Sequence, residues 1–385
     1  MIAIVGGKVY TMQGQVLDPG TVVLEQGKIR AVGSDISVPE QATVVNVQGK
    51  FVFPGFIDAH CHVGIIEEIY QTEGDDANEI TDPIMPHLRA IDGINPEDLG
   101  FADAVAGGIT TVCVTPGSAN VIGGEMVAMK THGTIVDQMV IKSPVGLKVA
   151  FGENPKRVYG NQKKAPYTRM ATAGLLREAF TKAGNYLRKH QHGISEPGNI
   201  PDTDLRMEIL VSALKREIPV RAHAHRADDI ATAVRIAEEF GLRLVIEHCT
   251  EGHKIADFLA AKGIPAVVGP NISTRAKVEL KDRDLRTPAV LAQAGVPVAL
   301  MTDHPVLPIQ HLLLCAGLAM REGFTEQQAL EAITIQGARV LGLEDRVGSI
   351  AVGKDADLVI LDGHPLDLQT KVEKVFVNGN QVFSV

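Results

Sequence analysis

The feature that most constrains the fold is a pattern of strand, loop and helix that begins at Phe56 and repeats to about residue 342. Short segments rich in valine, isoleucine and alanine alternate there with amphipathic stretches such as 227–241. This alternation predicts a parallel sheet covered by helices. We expect eight strands, which favours closure into a (β/α)8 TIM barrel of the α/β class. The expected strands are FIDAH, TTVCVTP, MVIKS, GLKVAFG, PVRAHA, LVIEHC, PAVVG and VALMTD.

The two ends of the chain have a different pattern, with short strands joined by tight turns. Residues 1–53 contain the turn Gln26-Gly27, and residues 343–385 contain the turn Asn378-Gly379. Both turns are typical of β-hairpins. We therefore predict that the two end segments form one composite β-sandwich domain, and that residues 54–342 form the barrel.

Composition and charge exclude several classes of protein. The chain has 385 residues, a net charge of −9 and no run of apolar residues long enough to span a bilayer. Nucleic-acid binding usually needs clustered positive charge. The N-terminus does not resemble a signal peptide, and the four cysteines show no CxxC spacing. We expect a cytoplasmic protein that acts on a small molecule, with neither nucleic acid nor a membrane as partner.

Candidate metal ligands lie at the ends of the predicted strands. His60 and His62 share one face of the first strand, because alternate side chains of a strand point the same way. An isolated pair of this kind is more often a strand end with two partly exposed histidines. Later strand ends add further polar side chains, namely Lys148, Glu153, His223, His248 and Asp303. The C-terminal ends of barrel strands meet at one pocket, and burying so many polar groups without a shared ligand would be costly.

These residue types suit a metal that activates water. Neutral imidazoles bind zinc, and manganese or iron suit the same mixture of imidazole and carboxylate. A bound metal lowers the pKa of its water to about 7. Asp303 could bind the metal, accept a proton from that water and pass it to a leaving amine.

The chain resembles the amidohydrolase superfamily, and within it the imidazolonepropionase-like branch that includes prolidase-like dipeptidases. The matching motifs are PGFIDAHCH with His60 and His62, AHAH with His223, IEHC with His248, TDHP with Asp303, and the tail RVGSIAVGKDADLVILDGHPL. The resemblance covers nearly the whole chain. It implies a metal-dependent barrel with a composite β-domain that hydrolyses amide or amine bonds with one or two zinc ions.

The resemblance leaves the bridging ligand of a two-metal site open. Relatives with two metals often carry a carboxylated lysine on the fourth strand, where Lys148 matches, and another branch uses a glutamate, where Glu153 would serve. We favour Lys148, because a lysine is long enough to reach the barrel mouth from the middle of a strand.

Three functions follow from this reading. The leading one is hydrolysis of an amide C–N bond in a small molecule, such as a carboxylate-bearing dipeptide or an N-acyl amino acid. The second is a deaminase or a cyclic-amide hydrolase on the same site. The third is a catalytically silent scaffold, which the retained ligands argue against.

Candidate substrate contacts come from a basic segment and two further histidines. Residues 154–170 carry Lys156, Arg157, Lys163, Lys164 and Arg169 and no acidic residue. One interpretation is a solvated loop or a subunit contact in a homo-oligomer. The other is a flexible loop over the mouth in which Arg157 and Arg169 attract an anionic group such as a substrate carboxylate and Tyr159 lines the opening. His225 and His304 directly follow ligand strands and are either substrate contacts, supports for the ligands or ordinary surface histidines.

Overall fold

The structure is a computed structural model that describes residues 1–69, 71–195 and 202–385. Its strands are β1 (Ile2–Tyr10), β2 (Val16–Glu25), β3 (Lys28–Gly33), β4 (Thr43–Asn46), β5 (Phe51–Pro54), β6 (Phe56–Cys61), β7 (Ile109–Val114), β8 (Ile122–Lys130), β9 (Val140–Ala150), β10 (Val220–Ala224), β11 (Leu244–His248), β12 (Ala266–Val268), β13 (Val298–Leu300), β14 (Leu358–Leu361), β15 (Val372–Val377) and β16 (Asn380–Ser384). Its α-helices are α1 (Leu99–Ala106), α2 (Val136–Met139), α3 (Glu153–Asn161), α4 (Arg169–Ser195), α5 (Leu205–Leu214), α6 (Ala227–Phe240), α7 (Ala256–Ala261), α8 (Thr287–Gln293), α9 (Leu312–Arg321), α10 (Glu326–Ala332) and α11 (Ile335–Leu341).

Strands β6 to β13 form one eight-stranded sheet in chain order that closes almost completely into a barrel. The two edges meet through backbone hydrogen bonds. The amide of His62 donates to the carbonyl of His304 at 2.8 Å, and the amide of Asp303 donates to the carbonyl of His60 at 3.2 Å. The closure thus brings the end of the first barrel strand against the end of the last.

The number of barrel strands matches the prediction, but the identity of two strands does not. MVIKS and GLKVAFG, predicted as separate strands, belong to the single strand β9. The strand continues through Pro144, although proline cannot donate a backbone hydrogen bond to a neighbouring strand. The remaining strand is β8, whose Gly123 and Gly124 were typical of a loop. Strand β8 pairs antiparallel with both β7 and β9. The prediction of a wholly parallel barrel was therefore wrong.

The other strands form a second sheet from the two ends of the chain. Its order is β16-β15-β14-β5-β1-β2-β3, with β4 paired to β1. Strand β5 pairs antiparallel with β14, which is where the N-terminal and C-terminal segments join. The sandwich form and the boundaries of a separate domain, residues 1–53 with 343–385 against a barrel of 54–342, stay predictions.

The segment predicted as a flexible basic loop is largely helical. Residues Glu153–Asn161 form α3, and α4 begins at Arg169. Only a short connection between these helices remains as loop. Among the described residues, no helix combines the length and the apolar character needed to cross a membrane.

Candidate metal centre

His60, His62 and Asp303 form the first group of closely spaced polar side chains. His60 lies on β6, His62 directly follows that strand, and Asp303 follows β13. The Oδ1 atom of Asp303 lies 3.4 Å from Nε2 of His60 and 3.2 Å from Nε2 of His62. All three residues are buried. Side-chain alternation along the first barrel strand thus directs both histidines to one carboxylate.

The Nδ1 atoms of these two histidines are held by acceptors on the outer side of the group. Nδ1 of His60 lies 2.7 Å from Oε2 of Glu247, and Nδ1 of His62 lies 2.7 Å from the carbonyl oxygen of Thr115. A neutral imidazole that donates from Nδ1 carries its lone pair on Nε2. Burial also lowers the pKa of His62, which favours the neutral ring. Both Nε2 lone pairs are therefore directed towards Asp303.

This arrangement brings together three atoms that can each donate an electron pair. The two Nε2 atoms and a carboxylate oxygen of Asp303 all lie within 4.8 Å of one another. Donors at such distances repel each other and are poorly solvated when buried, unless a cation lies between them. Two imidazoles and a carboxylate are also ligands that zinc accepts. The donor set therefore fits a divalent metal ion.

His223, His225 and His248 form a second group, in which one ligand atom of each ring lies within 4.8 Å of the others. Nδ1 of His248 donates to the carbonyl of Gly269 at 3.0 Å, which leaves the lone pair on Nε2. Neither nitrogen of the buried His223 has a hydrogen-bond partner among the described residues. Burial, with the neighbouring His248 and His225, lowers its pKa well below the ordinary value. A neutral imidazole with an unsatisfied nitrogen suits a metal ligand.

His225 lies in this second group rather than at its margin. Its Nδ1 atom is 2.7 Å from Oγ1 of Thr250, and the ring is buried. Burial and the positive charge of Lys277 lower the pKa of His225 to about 3. A substrate contact by His225 stays a prediction, and its position makes it a further candidate ligand.

The backbone turns sharply at two of the candidate ligands. His248 has a φ of 66° and Asp303 a φ of 55°, both in the left-handed region that residues other than glycine rarely adopt. Backbone strain of this kind is frequent at functional sites. At His248 the turn has a clear result, because it lets two consecutive residues, Glu247 and His248, both contribute to the interior of the barrel.

Lys148 is close to the first group, whereas Glu153 is not part of either group. Nζ of Lys148 lies 3.4 Å from Nε2 of His60, and burial lowers the lysine pKa to about 8. Glu153 begins α3, and its backbone amide donates to Oε2 of Glu279 at 2.9 Å. Its carboxylate is absent from both ligand groups found among the described residues. The position of the amine is thus compatible with the predicted bridging role of Lys148.

A buried ion pair beneath the centre was missed by the sequence analysis. Arg221 on β10 pairs with Glu247 on β11, and both side chains are 0% exposed. Arg221 also donates to the carbonyl of Ala59 at 3.0 Å. The pair therefore contacts His60 through its ring and through the preceding peptide group. The available signal was one charged residue inside each of the apolar strands VRAHA and LVIEH.

The three predicted contacts from the basic segment are either exposed or bonded to other parts of the fold. Arg157 is exposed on α3, and Nε of Arg169 donates to Asp229 at 3.0 Å. Tyr159 is buried, and its hydroxyl donates to the carbonyl of Asp82 at 2.9 Å. Substrate binding by Arg157, Tyr159 and Arg169 stays a prediction, but the tyrosine does not line an opening.

His304 lies behind Asp303 and is fully buried. Its Nδ1 accepts the backbone N–H of Ile309 at 3.2 Å, and its Nε2 lies 3.5 Å from a carboxylate oxygen of Glu68. Burial lowers the pKa of His304 to about 4, in agreement with a ring that accepts at Nδ1. It is therefore not a surface histidine, and its contact with substrate stays a prediction.

Comparison with known families identifies the kind of enzyme. The model of the amidohydrolase family matches residues 51–382, which covers both ligand groups and most of the chain. The chain belongs to the amidohydrolase family. This amidohydrolase is accordingly an enzyme that acts on C–N bonds, and the barrel with its strand-end histidines is the part that the family model covers.

Individual relatives agree with this assignment. An amidohydrolase of Hapsidospora irregularis is 30% identical over 94% of this chain, which spans only 40% of that relative's length. An imidazolonepropionase of Paracoccus denitrificans is 26% identical over 92% of this chain and 91% of its own. The crystal structure of an amidohydrolase from Thermotoga maritima MSB8 is 48% identical, covers 100% of both chains and superimposes with a TM-score of 0.97.

Proposed function

We propose that this amidohydrolase hydrolyses an amide bond of a small molecule with the help of one or two metal ions at the strand-end centre. The observation that carries the proposal is the convergence of Nε2 of His60, Nε2 of His62 and Oδ1 of Asp303, with the carboxylate oxygen 3.4 Å and 3.2 Å from the two nitrogens. A scaffold protein would have no need to maintain this unfavourable arrangement.

The two groups of side chains divide the ligands between two candidate positions. His60, His62 and Asp303 would hold one ion. His223 and His248 would hold another, with Lys148 in its carboxylated form as the bridge and Glu153 as the alternative. Zinc suits these nitrogen and oxygen ligands, as do manganese and iron.

The protein's own residues supply the proton transfers and the surroundings of the reaction. A bound metal makes hydroxide available at neutral pH by lowering the pKa of its water to about 7. The carboxylate of Asp303 accepts the proton of the attacking water and delivers it to the nitrogen of the leaving amine. The backbone of Asp303 is held in place because its amide donates a hydrogen bond to the carbonyl of His60 at 3.2 Å. Burial of the surrounding histidines strengthens these electrostatic interactions.

The expected substrate is a carboxylate-bearing dipeptide or N-acyl amino acid. The second candidate is a cyclic-amide hydrolase or deaminase, for which similarity to an imidazolonepropionase is the supporting observation. Both candidates use the same centre and differ in the substrate that the loops admit.

The test is metal content and hydrolysis measured together. Protein freed of metal with a chelator is reloaded with zinc, manganese or iron(II) and assayed against dipeptides, N-acyl amino acids, cyclic amides and aminated purines. We expect His62→Asn and Asp303→Asn to lose metal and hydrolysis, and His132→Asn, at an exposed histidine, to keep both. A reloaded wild type that binds no stoichiometric metal, or that cleaves no C–N bond, would contradict the proposal.

A further inference from the structure

The loop between β12 and α8, residues 269–286, lies against the second histidine group. It starts at Gly269, whose carbonyl accepts a hydrogen bond from Nδ1 of His248 at 3.0 Å. Further along, residues Val278–Leu280 form a short 3-10 turn that brings Glu279 into the interior. This loop, which we call the β12–α8 loop, is therefore positioned at the mouth of the barrel beside the candidate metal ligands.

Glu279 has a buried carboxylate oxygen that faces this mouth and accepts no hydrogen bond from the described residues. The residue is 1% exposed, and its Oε2 accepts the amide of Glu153 at 2.9 Å. Its Oε1 lies 3.6 Å from Nε2 of His225 and has no hydrogen-bond partner among the described residues. One carboxylate oxygen is thus anchored to α3, and the other faces the histidines.

Lys277 places a cation next to that oxygen. Its Nζ lies 3.9 Å from Oε1 of Glu279, which is too far for a hydrogen bond. An ammonium group has three N–H donors, and within the described ranges 1–69, 71–195 and 202–385 the contact with Glu279 is the only ion pair of Lys277. The side chain is 24% exposed, so a ligand entering the mouth can reach it.

The other cations of the loop have different surroundings: Arg275 is exposed, Arg283 donates to the hydroxyl of Ser273, and two more lie next to carboxylates. Nζ of Lys281 lies 4.0 Å from Asp282, which also binds Lys254 at 2.6 Å. Asp284 pairs with Arg286 at 2.6 Å. Lys277 differs from the exposed Arg275 because it is partly buried next to Glu279, whose Oε1 lies 3.6 Å from Nε2 of His225.

We propose that Lys277 binds an anionic group of the substrate, specifically a carboxylate, and so makes this enzyme prefer acidic amides over neutral ones. The identity of the ligand as an amide substrate rests on the proposed function. The recognition role thereby falls to the β12–α8 loop and not to α3, where Arg157 is exposed to solvent and Tyr159 is already hydrogen-bonded within the fold. A lysine at this position acts as a point charge for the carboxylate.

The experiment compares pairs of probes that differ only in the carboxylate. The probes are N-acetyl-L-leucine, N-acetyl-L-alanine and N-acetyl-L-phenylalanine, each paired with the N-alkylacetamide that lacks the carboxylate. Binding is measured by calorimetry on the full chain without metal, where hydrolysis does not interfere, and kcat/KM is measured on the zinc-loaded enzyme. The variants are Lys277→Gln, the control Lys281→Gln on the same loop, and Arg157→Gln on α3.

We expect the wild type to bind at least one carboxylate probe more tightly than its neutral partner. Lys277→Gln should weaken that binding roughly 10- to 100-fold, the usual value of a hydrogen bond to a charged group, and leave the neutral probe unchanged. Lys281→Gln should behave as the wild type. A wild type that binds both members of every pair equally would overturn the inference. The same holds if Lys277→Gln binds the carboxylate probe as tightly as the wild type does, or if Arg157→Gln is the variant that selectively loses this binding.

These outcomes are separable from a failure of the proposed function. If the zinc-loaded wild type cleaves no amide but the binding preference depends on Lys277, the proposed reaction is wrong and the anion site stands. If amides are cleaved and Lys277→Gln lowers kcat/KM equally for acidic and neutral partners, the reaction stands and the anion site is wrong.

Discussion

Oε2 of Glu247 lies 2.7 Å from Nδ1 of His60, and both side chains are fully buried. The same carboxylate pairs through Oε1 with Arg221, so a charge inside the barrel fixes the ring orientation of a candidate metal ligand. Burial of such a pair costs desolvation energy and is weak evidence for stability by itself. We expect the pair to act on the ligand His60, since carboxylates that hydrogen-bond metal-binding histidines commonly support metal affinity.

The first prediction separates this support from stability. Glu247→Gln should reduce zinc affinity by roughly 10- to 100-fold, because His60 loses its carboxylate partner. It should also lower the free energy of unfolding by about 3–5 kcal/mol, because Arg221 is left buried without a counter-charge. Competition with a chromophoric chelator measures the first effect, and denaturant unfolding of metal-free protein measures the second.

The double variant Arg221→Met with Glu247→Gln is the control. It removes the unpaired charge, so stability should recover in part while zinc affinity stays low. Recovery of both quantities would show that Glu247 supports the fold and not the ligand.

The second prediction concerns Lys148 as the bridge. Lys148→Ala should lower metal content per chain, and a short carboxylic acid such as acetate should restore part of it by occupying the vacated position. Lys142→Ala, on the same strand but not among the buried residues, should keep its metal. Metal analysis of the purified variants with and without acetate decides the matter, and an unchanged metal content in Lys148→Ala would exclude the bridging role.

The convergence of the candidate ligands could be predicted because it depends on two general rules. Strand alternation places His60 and His62 on one face, and the closure of a barrel brings strand ends together. The distances from Asp303 to both histidines agree with this reasoning. Strand β8 could not be predicted in the same way, because its glycines interrupt the apolar pattern on which strand assignment relies.

Glu247 and Glu279, which contact the candidate ligands, could not be predicted from the sequence for a different reason. Alternation would place Glu247 and His248 on opposite faces, and only the φ of 66° at His248 lets both contribute to the centre. Glu279 lies in a loop without hydrophobic periodicity, so no pattern indicates that it is buried. The positions of Glu247 and Glu279 therefore depend on backbone conformations that the sequence pattern does not indicate.

The third prediction tests whether the barrel interior beside Arg221 can accommodate an additional methyl group. A Cβ atom at Gly146 would lie 2.6 Å from Cγ of Arg221 and 3.3 Å from the carbonyl of Pro219. Gly146→Ala should therefore destabilise the protein by about 1–3 kcal/mol through overpacking. Because Arg221 orients Glu247, zinc affinity should fall as well.

The matched change is Gly184→Ala on α4, where an added Cβ meets nothing within 4 Å. Replacing a helical glycine by alanine should stabilise the protein by roughly 0.5–1 kcal/mol. Thermal unfolding and chelator competition on both variants provide the comparison. Equal stability of the two variants would mean that the interior accommodates the methyl group.

The fourth prediction concerns the buried charges that connect the two sheets. Lys130, the last residue of β8, lies 3.0 Å from Asp355, which also binds Lys28 at 2.6 Å and Arg346 at 2.9 Å. Lys130 makes a further contact with Asp357, immediately before β14. Asp355 is only 2% exposed, and its replacement removes one of the two carboxylates beside the buried Lys130 and the partner of Lys28 and Arg346, which are about half exposed. Asp355→Asn should lower the free energy of unfolding at pH 7 by about 1.5–3 kcal/mol, the usual value of hydrogen bonds to a charged group.

The pH dependence of this loss provides a sharper test. Burial alone would raise the pKa of Asp355, but Lys130, Lys28 and Arg346 outweigh it and hold the pKa below the ordinary value of 3.8. A carboxyl group whose pKa is lower in the folded state stabilises the protein above its unfolded pKa, and this contribution disappears as the pH falls through the folded pKa. The difference in stability between wild type and Asp355→Asn should thus be constant from pH 7 to about 5 and shrink below about pH 4. Denaturant unfolding across this range measures it, with Asp345→Asn as the exposed control, and a difference that persists unchanged at low pH would show that Asp355 acts through its shape and not its charge.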